Sequence, residues 1–256
     1  MRKLIAIMTC HQKRAWADAQ RATWVKDIVG RGYADVKFFL GQGAHEAKPD
    51  EIRVFCPDDY ASIPLKVQAI CKYADYHCYD YVAKCDDDVY IAPERFPALP
   101  LTADYIGRFR SPYGSVYPSS FASGFFYWLS NSAAKIVAET KWNGDWMDER
   151  FVATALARQG ITGYSDFINY QVSGPHTEGL AVLNSELHRH GAVFCEYGPR
   201  AMHVLHLALR DVKPVPRWSG LIRQQEVKVT DQILNSPPGD KAPEHKLNRR
   251  YNAELG

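Results

Sequence analysis

The chain has 256 residues, 46% of them hydrophobic and 23% charged, and its 31 Lys and Arg nearly balance 29 Asp and Glu. That composition excludes a disordered tail protein, a collagen-like fibre, a disulfide-rich miniprotein and a multi-span membrane protein. A formal charge of +2 advertises no polyanion partner, and a chain this long buries about three quarters of its unfolded surface, enough to fold without a metal or disulfide.

In chain order, Leu4–Thr9 reads as a short buried strand. It is too short for a signal peptide or a membrane span, and no later window is apolar over 18 residues, so the reading is a cytosolic chain with no membrane span. Lys13–Ile28 reads as a helix ended by the Gly30–Gly32 pair. Val36–Leu40 and Ile52–Phe55 are strand-length apolar runs, and Pro64–Tyr76 has helical spacing. Asp80–Ala83 leads a strand into the run Asp86-Asp87-Asp88, Val89–Ile91 continues extended, and Pro93 opens a short helix. Strands alternating with helices over this stretch predict an α/β fold with a largely parallel sheet.

Further on, Phe121–Leu129 is an aromatic strand, Ser130–Thr140 a capped helix, Asp148–Gln159 a helix ending at Gly160, and Val193–Tyr197 a strand. From Lys213 onward the pattern breaks down. This predicts one domain over residues 1–210 and a C-terminal extension, 211–256, that is partly loosely held. The six Cys form no C-x-x-C pair, and Cys10, Cys56, Cys85 and Cys195 lie in or beside apolar runs, as reduced buried thiols do.

The three aspartates, with Lys84 before them, are the strongest local feature. At the carboxyl end of a parallel strand they lie where open α/β sheets bind ligands. Asp86 and Asp88, separated by one residue, project the same way and reach one hard cation together. The competing reading is a solvated acidic turn. His203 and His206, after the Val193–Tyr197 strand, are imidazole donors that suit a borderline metal such as manganese; structural histidines are the alternative.

Four segments resemble glycosyltransferase family 31, the β-1,3-galactosyltransferase and Fringe-related enzymes, in that family's order. Arg21-Ala22-Thr23-Trp24 resembles R-x-T-W. Leu65-Lys66 and Tyr81 through Ile91 resemble L-K and Y-V-x-K-x-D-D-D-V-[FY]-[IV]. Tyr117-Pro118, Ser123-Gly124 and Ser130 resemble Y-P-x-Y-x-S-G-x-G-Y-x-x-S. Asp148-Glu149 through Ile161 resemble E-D-V-x-V-G-x-x-L-x-x-x-G-I, with the two acids reversed and Ala153 for the first glycine; Phe126 replaces the second glycine of S-G-x-G.

The resemblance implies a GT-A fold, a Rossmann-like nucleotide-binding mixed sheet flanked by helices. It also implies a UDP-sugar donor, Mn²⁺ or Mg²⁺ on the aspartates, and inverting transfer of a hexose of galactose, N-acetylglucosamine or glucose type to a hydroxyl acceptor such as a glycan. On this reading Asp86, Asp88, His203 and His206 hold the metal. Arg21, Lys66, Lys84, Asp86, Asp87, Ser123 and Gly124 meet the donor. Glu149 stands in register with the family's base, with Asp148 as the fallback. Trp142, Trp146 and Phe151 form an acceptor platform or pack the core, and residues 175–179 line the acceptor side. Two other readings stay open: a modified DNA base or a protein as acceptor, with Lys246, Arg249 and Arg250 as a basic patch, and a non-catalytic sugar-binding protein.

Overall fold

The computed structural model describes residues 1–99, 101–109, 121–165, 170–172, 191–195, 197–210 and 225–227. The strands are β1 (Lys3–Met8), β2 (Asp35–Leu40), β3 (Glu51–Arg53), β4 (Tyr81–Asp86), β5 (Tyr90–Ile91), β6 (Tyr105–Phe109), β7 (Ala122–Ser130), β8 (Gly163–Ser165), β9 (Tyr170–Val172), β10 (Val193–Cys195) and β11 (Gln225–Val227). The helices are α1 (Arg14–Gln20), α2 (Lys26–Gly30), α3 (Ile63–Tyr76), α4 (Asn131–Glu139), α5 (Asp148–Ala157) and α6 (Pro199–Leu209).

Among the described residues eight strands form one sheet in the order β3-β2-β1-β4-β7-β6-β8-β11. The half β3-β2-β1-β4 is parallel, as the alternation of strands and helices predicts. The other half is not. β7 runs antiparallel to both β4 and β6, which makes the sheet mixed. The reason is connectivity: β6 and β7 are consecutive strands that pair with each other, where a parallel pair takes a crossover. A second sheet, β5-β10-β9, lies beyond the acidic run.

Both faces of β1 are buried, so it reads as a continuous apolar run. Ile5 and Ile7 join one core cluster with Trp24, Phe38, Cys85, Phe126, Trp128 and Leu205. Leu4, Ala6 and Met8 join the other with Phe39, Val67, Val82, Leu129, Ala134 and Phe151. Thus α1, α2 and α6 cover one face and α3, α4 and α5 the other. The expected cap at Ser130 forms, its hydroxyl accepting the Ala133 N–H at 3.2 Å.

Several expectations are corrected. The single helix over Lys13–Ile28 is two helices joined by a wider turn, Arg21–Val25, with a kink at Thr23. The Thr23 hydroxyl donates back to the Ala19 carbonyl at 2.6 Å, a local bond that bends helices. The Ile52–Phe55 run leaves the sheet after Arg53, and Phe55 is exposed. β6, β8, β9, β11 and α6 had no clear sequence signal. Most of the 211–256 extension lies outside the described residues, but β11 within it pairs antiparallel with β8 at the sheet edge. Tyr117-Pro118, residues 175–179, Lys246, Arg249 and Arg250 also lie outside the described residues. No helix among the described residues is long and apolar enough to cross a membrane.

Candidate functional site

The acidic run sits at the carboxyl end of β4, next to the end of β1, and its backbone is held from both sides. The Gln20 side-chain amide donates to the Asp86 and Val89 carbonyls at 3.1 and 2.9 Å. The Trp24 indole N–H donates to the Val89 carbonyl at 3.0 Å. From the other side the Tyr197 N–H donates to the Asp88 carbonyl at 3.0 Å. Asp87 is turned inward: its carboxylate accepts the Thr9 hydroxyl at 2.9 Å and the Lys13 ammonium at 3.1 Å. Asp86 and Asp88 stay half-buried, so the alternation expected of a strand end separates the middle acid from its neighbours.

Antiparallel pairing places the start of β7 beside this end of β4, with Lys84 opposite Tyr127. Lys84 is buried and reaches three oxygens. Its ammonium donates to Asp86 at 2.6 Å and to the Gly124 carbonyl, and lies 3.4 Å from Asp148. Burial works against that charge, but the Asp148 and Asp86 carboxylates prevail and raise the Lys84 pKa. Asp86 itself is pushed up, by burial first and by the Asp148 charge, with Lys84 opposing.

Asp148 and Glu149 occupy the first turn of α5, where a helix N-terminus favours negative charge. The Tyr127 hydroxyl donates to Asp148 at 3.1 Å. Glu149 lies over Gly124, and a Cβ there would sit 3.3 Å from its carboxyl atoms. Burial, the Asp148 charge and a hydrogen bond shared with Asp148 push the Glu149 pKa up to about 8. A carboxyl held near neutrality in a crevice suits proton transfer.

The structure therefore brings together Lys84, Asp86, Gly124, Asp148 and Glu149. Ser123 is buried beside Gly124 in β7. Lys66 is near but committed: its buried ammonium donates to Asp58 at 2.6 Å and to the Thr9 carbonyl at 3.1 Å, tying the ends of β1 and α3. Arg21 is engaged within the fold. Its guanidinium donates to Asp18, to both oxygens of Asp50 and to Glu51 while stacking on Phe38, so it clamps β3 to the helical segment. The two histidines differ in their settings. His203 is exposed on α6, and His206 lies between the Tyr90 hydroxyl at 3.4 Å and the Asp27 carboxylate at 3.6 Å. Burial lowers the His206 pKa, with Asp27 opposing. Among the described residues no three His, Cys, Asp or Glu side chains form a metal-holding group.

Sequence reasoning missed Lys13, whose ammonium lies in the field of all three aspartates of the run. It also missed Tyr60, whose hydroxyl pKa is pushed up to about 12 by burial and then by Glu149, Asp148 and Asp86. Neither had a local signal, since their partners are distant in sequence.

The fold, a mixed sheet flanked by helices, has a solved counterpart. A glycosyltransferase involved in the glycosylation of the major capsid of PBCV-1 superposes with a TM-score of 0.53 at 14% identity, covering 80% of this chain and 99% of that one. The chain has the GT-A fold. The galactosyltransferase LgtC, solved with donor and acceptor sugar analogs, superposes with a TM-score of 0.48 at 14% identity, covering 82% of this chain and 97% of that one. No family model matches the chain, and no curated protein matches it in sequence. Likeness at this identity shows fold, and function is argued from the site.

Proposed function

We propose that the protein is a metal-dependent glycosyltransferase that moves a hexose from a UDP-sugar to a hydroxyl acceptor with inversion, as the resemblance to family 31 implies. One observation carries the reading. On a GT-A fold, an acidic strand end and a second carboxylate pair face each other across the buried Lys84. The same reading takes residues 1–210 as the catalytic domain.

Asp86 and Asp88 fit a hard divalent cation. Both are half-buried carboxylates at the strand end, while Asp87 is committed to Thr9 and Lys13. Such ions need only one or two carboxylates when substrate phosphates supply further oxygens. The cation would neutralise charge on the leaving diphosphate. Lys13 adds a second positive group on that side.

Glu149 is assigned the base. Resting on Gly124, its carboxyl would take the proton of the acceptor hydroxyl as that oxygen attacks the anomeric carbon and the bond to the diphosphate breaks. Asp148 is assigned a holding role, because Lys84 and Tyr127 already engage it. The test pairs two variants in a UDP-sugar transfer and UDP-binding assay with Mn²⁺. Asp88→Ala is expected to lose metal-dependent UDP binding. Glu149→Gln is expected to keep it and lose about 10²–10⁴-fold in transfer. Unchanged turnover in both would overturn the assignment.

A further inference from the structure

Tyr60 and Trp146 come from loops far apart in sequence, one before α3 and one before α5. Their rings lie 5.6 Å apart, tilted by 42°. Neither belongs to a core cluster: Tyr60 is 38% exposed and Trp146 is half-buried. Of the other aromatic side chains expected near the base, Phe151 is buried in a core and the Trp142 indole packs against one.

The two rings, one exposed and one half-buried, are held by braced loops. Beside Trp146, the buried Asp145 carboxylate accepts the Met147 N–H at 3.1 Å and pairs with the Arg150 guanidinium. The Asp145 carbonyl accepts the Trp142 indole N–H at 2.7 Å. Beside Tyr60, Asp59 accepts the Ser62 N–H at 2.8 Å. Asp58 accepts the Gly41 and His11 N–H groups at 2.8 and 2.6 Å. Polar networks on either side thus present two flat rings toward water, the preorganisation a binding wall needs. The wall stands next to the proposed base. Trp146 is three residues before Glu149, and the Tyr60 hydroxyl feels the charges of Glu149, Asp148 and Asp86.

We propose that Tyr60 and Trp146 form the acceptor wall, on which a neutral sugar lays its apolar ring face with one hydroxyl turned to Glu149. The inference rests on the glycosyltransfer reading above. A nucleobase also stacks on aromatic rings. Here, however, the Tyr60 hydroxyl lies in the field of Glu149, Asp148 and Asp86, with Lys84 opposing, and like charge repels a phosphate backbone.

Saturation-transfer NMR tests this with three probes, the methyl β-glycosides of glucose, galactose and N-acetylglucosamine, in the presence of UDP and Mn²⁺. Wild type is expected to transfer saturation to at least one glycoside. Tyr60→Ala and Trp146→Ala are expected to weaken that binding roughly three- to tenfold, the range of a stacking contact, while Tyr60→Phe keeps it. If Trp146→Ala does not fold, the exposed Tyr60 decides the matter through its two variants. Undiminished binding in the alanine variants, or no signal from any glycoside, overturns the inference. So does a hydroxymethylated DNA oligonucleotide that binds the same wall in their place. UDP binding measured on the same samples separates the two readings. If wild type binds UDP with Mn²⁺ but the sugar results fail, only the wall is lost. If it binds no UDP, the glycosyltransfer reading falls and the wall with it.

Discussion

Glu149 and Asp148 are adjacent carboxylates in different surroundings, and the difference assigns their work. Asp148 has a lysine and a tyrosine hydroxyl on it, whereas Glu149 has a glycine beneath it. Gly124→Ala would press a methyl group against the Glu149 carboxyl at 3.3 Å, which is tight. We expect that variant to fold and to bind UDP as wild type does, with transfer reduced about tenfold or more, because small misplacements of a reacting group are costly. Steady-state kinetics beside a UDP titration would show this, and normal turnover would rule out the close approach.

The raised Glu149 pKa also fixes a pH dependence. A base must be ionised, so transfer is expected to rise with pH through about 8 and level off above it. Stability runs the other way. The ordinary value is 4.5, so between 4.5 and about 8 the native state holds a proton that the unfolded state has lost, and stability falls as pH rises across that window. Glu149→Gln is therefore expected to melt close to wild type at pH values below the window and above wild type beyond it. Parallel melting curves at both ends would contradict the shift.

At the scale of elements, the helical segment after β1 is the clamp on the acidic run. Of the Arg21–Trp24 motif, it is Trp24, together with Gln20, that touches the run; Arg21 faces Asp18, Asp50 and Glu51. Trp24→Phe removes one of two donors from the buried Val89 carbonyl, Gln20 keeping the other, and is expected to cost about 0.5–1.5 kcal/mol, read by urea unfolding. Metal-dependent UDP affinity is expected to fall as well, because the run loses an anchor. A variant as stable as wild type with unaltered affinity would show the bond to be dispensable.

This element also shows what a sequence can reveal. The acids of β4 and α5 were readable because each group is contiguous, and strand or helix geometry then orients its members. The partners of Arg21 were not, since a guanidinium declares its charge but not which carboxylate claims it. The different settings of the α6 histidines were hidden for a related reason. Three residues apart on a helix, they differ in burial because Tyr90 and Asp27 pack on one of them alone. β6 escaped notice because Gly107 interrupts its apolar run, and the glycine is there to admit the Ala122 and Tyr127 side chains of β7.

Over the whole molecule, the parallel half of the sheet and its mixed half meet between β4 and β7, and the candidate site lies at that seam. The parallel half followed from the alternation of helices and strands. The mixed half depends on long-range pairing that no local pattern encodes. Lys84 spans the seam, linking Asp86 of β4 to the Gly124 carbonyl of β7 and to Asp148 of α5.

The near-neutral composition conceals a strong local imbalance. Around the seam stand Asp86, Asp87, Asp88, Asp148 and Glu149, against the ammonium groups of Lys84 and Lys13. A diphosphate arriving alone meets mostly its own sign of charge, at a cost that low-dielectric walls amplify. On the glycosyltransfer reading, nucleotide occupancy is expected to depend on the ionic composition of the medium. Calorimetric titration with UDP in EDTA is expected to give no measurable heat, and adding Mn²⁺ to restore it; equal affinity in both would mean the carboxylates do not face the phosphates. The same conditionality bears on product departure. A site that holds a diphosphate only in company lets go once that company dissociates, so on the glycosyltransfer reading the acid-rich seam is expected to set the terms of turnover as well as of donor entry.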